Sequence, residues 1–298
     1  MERRKWYHTV IAIGTLSLMS VTAWAQSGSG QDSEFPLSFS GDLAPVSKYI
    51  WRGQRLTDGW SLQPSGTLSL GNLSLNVWGN MDLAAVNEGD SLFLSVNPDA
   101  PSGASNNGLQ GQLSEIDYTF SYTVDLKNAG LDFGTIFYTF PNRAASLPST
   151  TEIYGGVTFS EVPLSPSATM YVDVDETGDS GSTGVYFLLG ASHSFAFGHS
   201  RFPGLDLSST LSFVNSGFGE YYYGASESGA HDFSFSVSAP INLGEHWSAG
   251  AFLTYSALLG DFRNYQYLNP RRVYLGTAGT PAGSADTVWG GFNLSVGF

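Results

Sequence analysis

The chain has 298 residues, with 26 acidic against 12 basic side chains and no cysteine. A net charge of −14 excludes the phosphate neutralisation that drives nucleic-acid binding, and without cysteine there is no disulfide, thiolate metal site or thiol nucleophile. Only 13% of residues are charged, 14% are aromatic and 36 are Gly, yet mean hydropathy is −0.05, a balance that suits strands with one face in lipid and the other in water.

The first 25 residues read as a leader. Basic Met1–Lys5 precedes an apolar stretch from Val10 to Val21, and Ala23-Trp24-Ala25 follows as a small-residue cleavage pattern. The stretch is shorter than the ~20 residues a helical span needs. Residues 1–25 are therefore expected to be a cleaved signal peptide, and 26–298 a single domain. Beyond the leader no segment has 18 consecutive apolar residues, so a bilayer would be crossed by a closed barrel or not at all.

From there two-residue alternation dominates. In Leu73–Leu83 the odd positions carry Leu73, Leu75, Val77, Met81 and Leu83, while Ser74, Asn76, Asn80 and Asp82 lie between. Ile116–Leu126, Phe233–Ile241 and Val288–Phe298 repeat the pattern. Counting such runs predicts about twelve strands, at 37–52, 61–70, 73–83, 113–126, 131–141, 150–160, 166–176, 184–197, 205–216, 231–242, 247–258 and 287–298. Most are near or above the 9–11 residues of a tilted membrane strand. Leu131–Pro141 is ambiguous in parity, and Trp78, Leu188 and Trp289 fall on the polar parity as misfits or as bulk narrowing a lumen.

Connections alternate in length. Gly71-Asn72, 127–130, 161–165, 198–204 and 242–246 are short, whereas 52–60, 84–112, 142–149, 176–183, 217–230 and 259–286 are long and rich in turn residues. Outer-membrane barrels have short periplasmic turns and long extracellular loops. The fold class is thus expected to be all-β, a transmembrane antiparallel up-and-down barrel with both termini periplasmic, integral to the outer membrane of a Gram-negative cell. Tyr49, Trp51, Phe159, Phe195, Phe197, Trp247 and Phe298 are expected in interfacial girdles.

Inward parity collects Asp82, Asp117, Asp125, Asp132, Glu152, Asp173, Asp175, Asp206 and Asp232. Lys48 and Arg52, taken as the end of the first strand, supply the opposite sign. Carboxylates along a pore favour cations, so these are pore-lining candidates in a weakly cation-preferring channel, with solvated structural charge as the plainer alternative. Twelve strands leave a lumen narrower than the 16–18 of open porins, and loops 84–112 and 259–286 are long enough to constrict it. Arg271 and Arg272 beside Tyr265, Tyr267 and Tyr274 are read as a candidate solute- or lipopolysaccharide-facing patch, with a solvated loop as the plainer alternative.

The last strand, Trp289–Phe298, resembles the C-terminal strand of bacterial outer-membrane proteins. That resemblance implies an assembly signal at Phe292, Leu294, Val296 and Phe298, read by the barrel-assembly machinery. Val46-Ser47-Lys48-Tyr49-Ile50-Trp51-Arg52-Gly53, Thr57-Asp58-Gly59 and Leu62-Gln63-Pro64 resemble the opening of the TorF-type porin family. Leu75–Asn80, Glu115–Tyr118 and Glu152–Gly156 resemble its later strands. The resemblance implies a pore without catalytic residues and names no substrate.

The resulting expectation is a channel for passive passage of small solutes or ions, with a non-conducting adhesin, receptor or structural anchor as the alternative. Outer-membrane lipid, lipopolysaccharide and small solutes are the expected partners. No cofactor or metal is expected: Asp173–Asp179 opens like a calcium loop, but its twelfth position is Gly184 in place of a bidentate Glu. No enzyme is expected either. His193 is read as an isolated lipid-facing His rather than a member of a Ser-His-Asp set.

Overall fold

A computed structural model describes residues 37–87, 105–106, 109–142, 149–178, 180–264 and 285–298. The leader, the patch around Arg271 and Arg272 and most of loop 84–112 lie outside the described residues.

Twelve strands close into one antiparallel barrel. They are β1 (Leu37–Val46), β2 (Ser61–Leu70), β3 (Leu73–Asp82), β4 (Leu113–Asp125), β5 (Gly130–Thr139) and β6 (Thr150–Thr158). The second half comprises β7 (Ser167–Thr177), β8 (Thr183–Ala196), β9 (Gly204–Val214), β10 (Gly229–Asn242), β11 (Trp247–Leu258) and β12 (Asp286–Gly297). Each pairs with its neighbours in sequence, and β1 pairs with both β2 and β12. Closure gives every strand two partners, which a backbone in lipid requires.

The alternation sorts the side chains as expected. Phe120, Ile153, Leu253 and Phe292 are exposed on the outside, while Glu152, Asp232 and Thr254 on the other parity are buried inside. The ambiguous β5 resolves with Phe133 and Phe137 outward and Asp132 and Tyr138 inward. Trp78, Leu188 and Trp289 do fill the lumen, and all three are buried. Leu37, the first described residue, and Phe298 lie on one rim, where the Phe39 N–H donates to the Phe298 carbonyl over 3.1 Å. The short turns lie at that rim too, and Phe159, Phe195, Phe197, Trp247 and Phe298 are exposed there.

The first strand departs from the sequence reading. β1 stops at Val46, and the chain leaves the wall as a small hairpin pairing Tyr49–Trp51 with Gln54–Thr57. Its tip is Arg52 (φ 47°) and Gly53 (φ 74°). Two successive left-handed residues make the tight turn whose twist suits a two-residue hairpin. Tyr49 and Trp51 are therefore not girdle residues but lie buried in the lumen.

The connection after β9 forms helix α1 (Ser216–Tyr223). Asn215 caps it by accepting from the Phe218 N–H at 3.0 Å, and Gly224 ends it at φ 69°. Asn215 also ties the cap to the wall, accepting from Val185 N–H and donating to the Thr183 carbonyl, each at 2.8 Å.

Candidate functional site

The hairpin 49–57 crosses the lumen and joins opposite walls. Tyr49 Oη donates to Glu115 Oε2 on β4 at 2.5 Å, and Thr57 Oγ1 donates to Asp82 Oδ1 on β3 at 3.3 Å. On the far side, a Cβ added to Gly53 would stand 2.5 Å from Asp232 Cβ on β10 and 3.2 Å from Leu258 Cδ2 on β11. The tip therefore has room only for Gly.

Arg52 is the centre of this arrangement. Its Nη2 donates to Glu152 Oε2 at 2.6 Å, and both side chains are buried. Tyr138 Oη donates to the same carboxylate oxygen at 2.8 Å. Rings surround the guanidinium: its Cζ lies 4.2 Å from the Tyr186 ring centroid, 4.6 Å from Trp51, 5.3 Å from Tyr171 and 5.5 Å from Phe218. A cation over aromatic faces in a desolvated site gains about 2 kcal/mol. Burial opposes the charge, but the Glu152 carboxylate, first among several groups that favour it, helps to hold the guanidinium above its ordinary value.

Helix α1 completes the plug. Phe218 packs against Trp51, Tyr186 and His231, and Tyr222 tilts onto Trp51 with centroids 5.1 Å apart. Burial pushes the Tyr222 and Tyr223 phenols well up, so both act as neutral donors. Tyr222 Oη donates to Asp173 Oδ2 at 3.3 Å, which Thr150 Oγ1 also engages at 2.8 Å.

A bulge supplies the last part of the network. The β9–β10 register slips between Leu211↔Phe233 and Phe213↔Ala230, leaving one extra residue on β10. Consecutive His231 and Asp232 are consequently both buried inside, which strict alternation forbids. His231 Nε2 meets Tyr223 Oη and Nδ1 meets Asp232 Oδ2, each at 2.8 Å. Tyr186 Oη, at 2.9 Å, and Ser212 Oγ also donate to Asp232 Oδ2. The carboxylate lies between the hydroxyl and the imidazole, so the serine-to-imidazole bond that activates a nucleophile is not made.

Of the candidates read from sequence, Arg52, Asp82, Asp117, Glu152, Asp173 and Asp232 lie buried inside the barrel. Asp125 is exposed at the rim of short turns, and Asp175 is exposed near the opposite rim. Lys48 and Arg52 do not end the first strand. Lys48 stays in the loop and pairs with Asp58, because β1 ends before it. Among the described residues, 47–60 and 215–228 fill the lumen, and the two loops expected to constrict it contribute buried Leu109 (84–112) and Phe262 (259–286), most of both lying outside the described residues. His193 is exposed on β8, as its parity implied. Phe292, Leu294 and Phe298 are exposed on the outside, with Val296 half-buried among them.

Several residues escaped sequence reading. Glu115, Tyr171 and Tyr186 share inward parity with Asp117, Asp173 and Leu188, so parity alone could have found them. Phe218 and His231 gave no such signal, lying in an irregular loop and at a bulge.

Towards the rim of short turns the wall changes character. Thr67, Ser74, Asn76, Thr119 and Ser121 are half-buried and hydroxyl- or amide-bearing. The molecule is thus a closed β-barrel with an apolar exterior, a polar vestibule at one end and an aromatic, carboxylate-rich plug at the other.

No protein-family model matches the chain, and no curated protein does. Solved barrels are similar in form. An outer-membrane channel from Pseudomonas putida F1 aligns with TM-score 0.44 and 9% identity over 89% of this chain and 95% of its own. The anion-selective porin of Comamonas acidovorans gives 0.35 and 12% over 89% and 99%, and the Salmonella typhi OmpF in complex with daunomycin 0.36 and 10% over 89% and 97%.

Proposed function

We propose that this protein is a gated outer-membrane channel for small solutes or ions, with cations preferred. The carrying observation is the contrast between an apolar outer surface and a lumen lined by hydroxyls and carboxylates, closed by a plug that comes from loops and not from the wall. Among the described residues, the buried carboxylates Glu115, Asp117, Glu152, Asp173 and Asp232 outnumber the buried arginine, Arg52, and such an excess favours cations. In this reading the leader is cleaved, both termini and the short turns face the periplasm, and the last strand engages the barrel-assembly machinery.

The filled lumen supports one competing reading, a non-conducting barrel acting as receptor, adhesin or anchor. Planar-bilayer recording of the refolded chain separates the two. The channel reading expects discrete openings and a cation-selective reversal potential under a KCl gradient. A correctly folded barrel that neither conducts nor swells liposomes in small sugars or amino acids would establish the anchor, and anion selectivity would remove the cation preference.

A further inference from the structure

The surroundings of Arg52 have the chemistry of a binding site with an occupant already in it. A carboxylate meets the edge of a planar cation, and ring faces meet its plane. Trp51 travels with Arg52 on the hairpin, but the other walls do not. Glu152 is on β6, Tyr171 on β7, Tyr186 on β8 and Phe218 on α1. Glu152 and Tyr186 are held by bonds independent of the hairpin, from Tyr138 and to Asp232 respectively, and the Tyr171 and Phe218 rings pack on Tyr186. Withdrawal of the hairpin would leave a preformed cage.

The occupant fits that cage imperfectly. Arg52 Nε and Nη1 are buried and make no hydrogen bond. Its backbone is left-handed, a conformation that costs a non-Gly residue about 1–2 kcal/mol. A free cation of the same shape would carry no backbone penalty and could turn to satisfy more of its N–H groups.

We propose that Glu152, Tyr171, Tyr186 and Phe218 form a binding site for solutes bearing a guanidinium head, in which Arg52 stands as an internal surrogate while the lumen is closed. The proposal rests on the channel reading for its consequence: a guanidinium solute competes with Arg52, favours the withdrawn hairpin and so opens its own path. A ligand that binds only one of two conformations shifts the balance by its differential affinity. The carboxylates of the same lumen raise the local concentration of such cations.

The test is chemical rescue of the full chain. Refolded Arg52→Ala empties the cage, and methylguanidinium is titrated against methylurea, its neutral counterpart of similar shape. The expected result is a saturable rise in melting temperature of a few degrees with methylguanidinium only, abolished in the Arg52→Ala/Glu152→Gln double variant. Recovery of folded Arg52→Ala only when methylguanidinium is present during refolding would equally support the site. Should Arg52→Ala not fold in either case, Arg52→Gln, which keeps side-chain length, is titrated in its place. Equal responses to the two probes, or an undiminished response without Glu152, would overturn the proposal. Bilayer recording of the wild type separates the two claims. Binding without conduction keeps the cage and removes the channel, whereas conduction without binding does the reverse.

Discussion

At Arg52 a left-handed backbone and a buried charge fall on one residue, and both are tolerated because Glu152 and four rings surround it. Removing one member of a buried ion pair leaves the other uncompensated, at about 3–5 kcal/mol. Glu152→Gln should therefore lower the unfolding free energy of the refolded barrel in urea by about that much, and Arg52→Ala similarly. The double variant should fall well short of the sum, because the two side chains share one interaction. Additive losses would mean that the pair is not coupled. Glu220 offers a test in pH. Backbone and side-chain hydrogen bonds from Ser180 hold its carboxyl below the usual value. A depressed folded-state value means that the contribution is complete at neutral pH and is lost as pH falls through that value. Amide exchange at Ser180 should accelerate in the acid range, below the ordinary carboxylate value of about 4.5, and not between pH 6 and 8. Glu220→Gln should exchange fast throughout.

Among the elements, α1 depends on two glycines. A Cβ at Gly217 would lie 2.5 Å from the Ser182 and Thr183 carbonyl oxygens, and one at Gly219 would lie 2.3 Å from the Glu227 carbonyl. These are backbone atoms that cannot step aside. Gly217→Ala should push α1 off the wall and raise channel conductance while the barrel still migrates as a folded species in unheated gels. Unchanged conductance would show that α1 does not obstruct flow. The strands themselves were legible because an apolar outside and a polar inside impose a period of two, and only Ser47–Thr57 was misjudged. Tyr49, Ile50 and Trp51 look like any strand segment, so periodicity alone extended β1 through them. The distinguishing mark was Arg52-Gly53, a pair able to take two left-handed residues in succession. The plug was harder to read. Phe218 and Tyr222 project from a helix inside a loop, and His231 turns inward only because one extra residue in β10 breaks the alternation. Neither follows from local pattern, since both depend on which loop has room to fold inward.

For the whole molecule, the outward row on β12 matters before folding more than after it. Phe298 stacks on the His246 ring with centroids 5.0 Å apart and is otherwise exposed. Replacing it should change equilibrium stability by little once the barrel is refolded in vitro. In cells, however, Phe298→Ala should reduce the amount of heat-modifiable barrel recovered from outer membranes, if the last strand is the signal read during assembly. Equal recovery would place that signal elsewhere.

The seam between β1 and β12 has a temporal meaning. Asp42 accepts hydrogen bonds from Asn293 and Ser295, and Ser47 Oγ accepts from Gly290 N–H at 3.0 Å, so the ring is fastened by residues about 250 positions apart. Contacts of such separation form late. A nascent chain lacking its final dozen residues has both terminal edges bare, each a template for pairing with another molecule. The polypeptide is therefore most prone to aggregate in transit, before its tail arrives, and chaperoned delivery is a kinetic requirement written into the order of its strands.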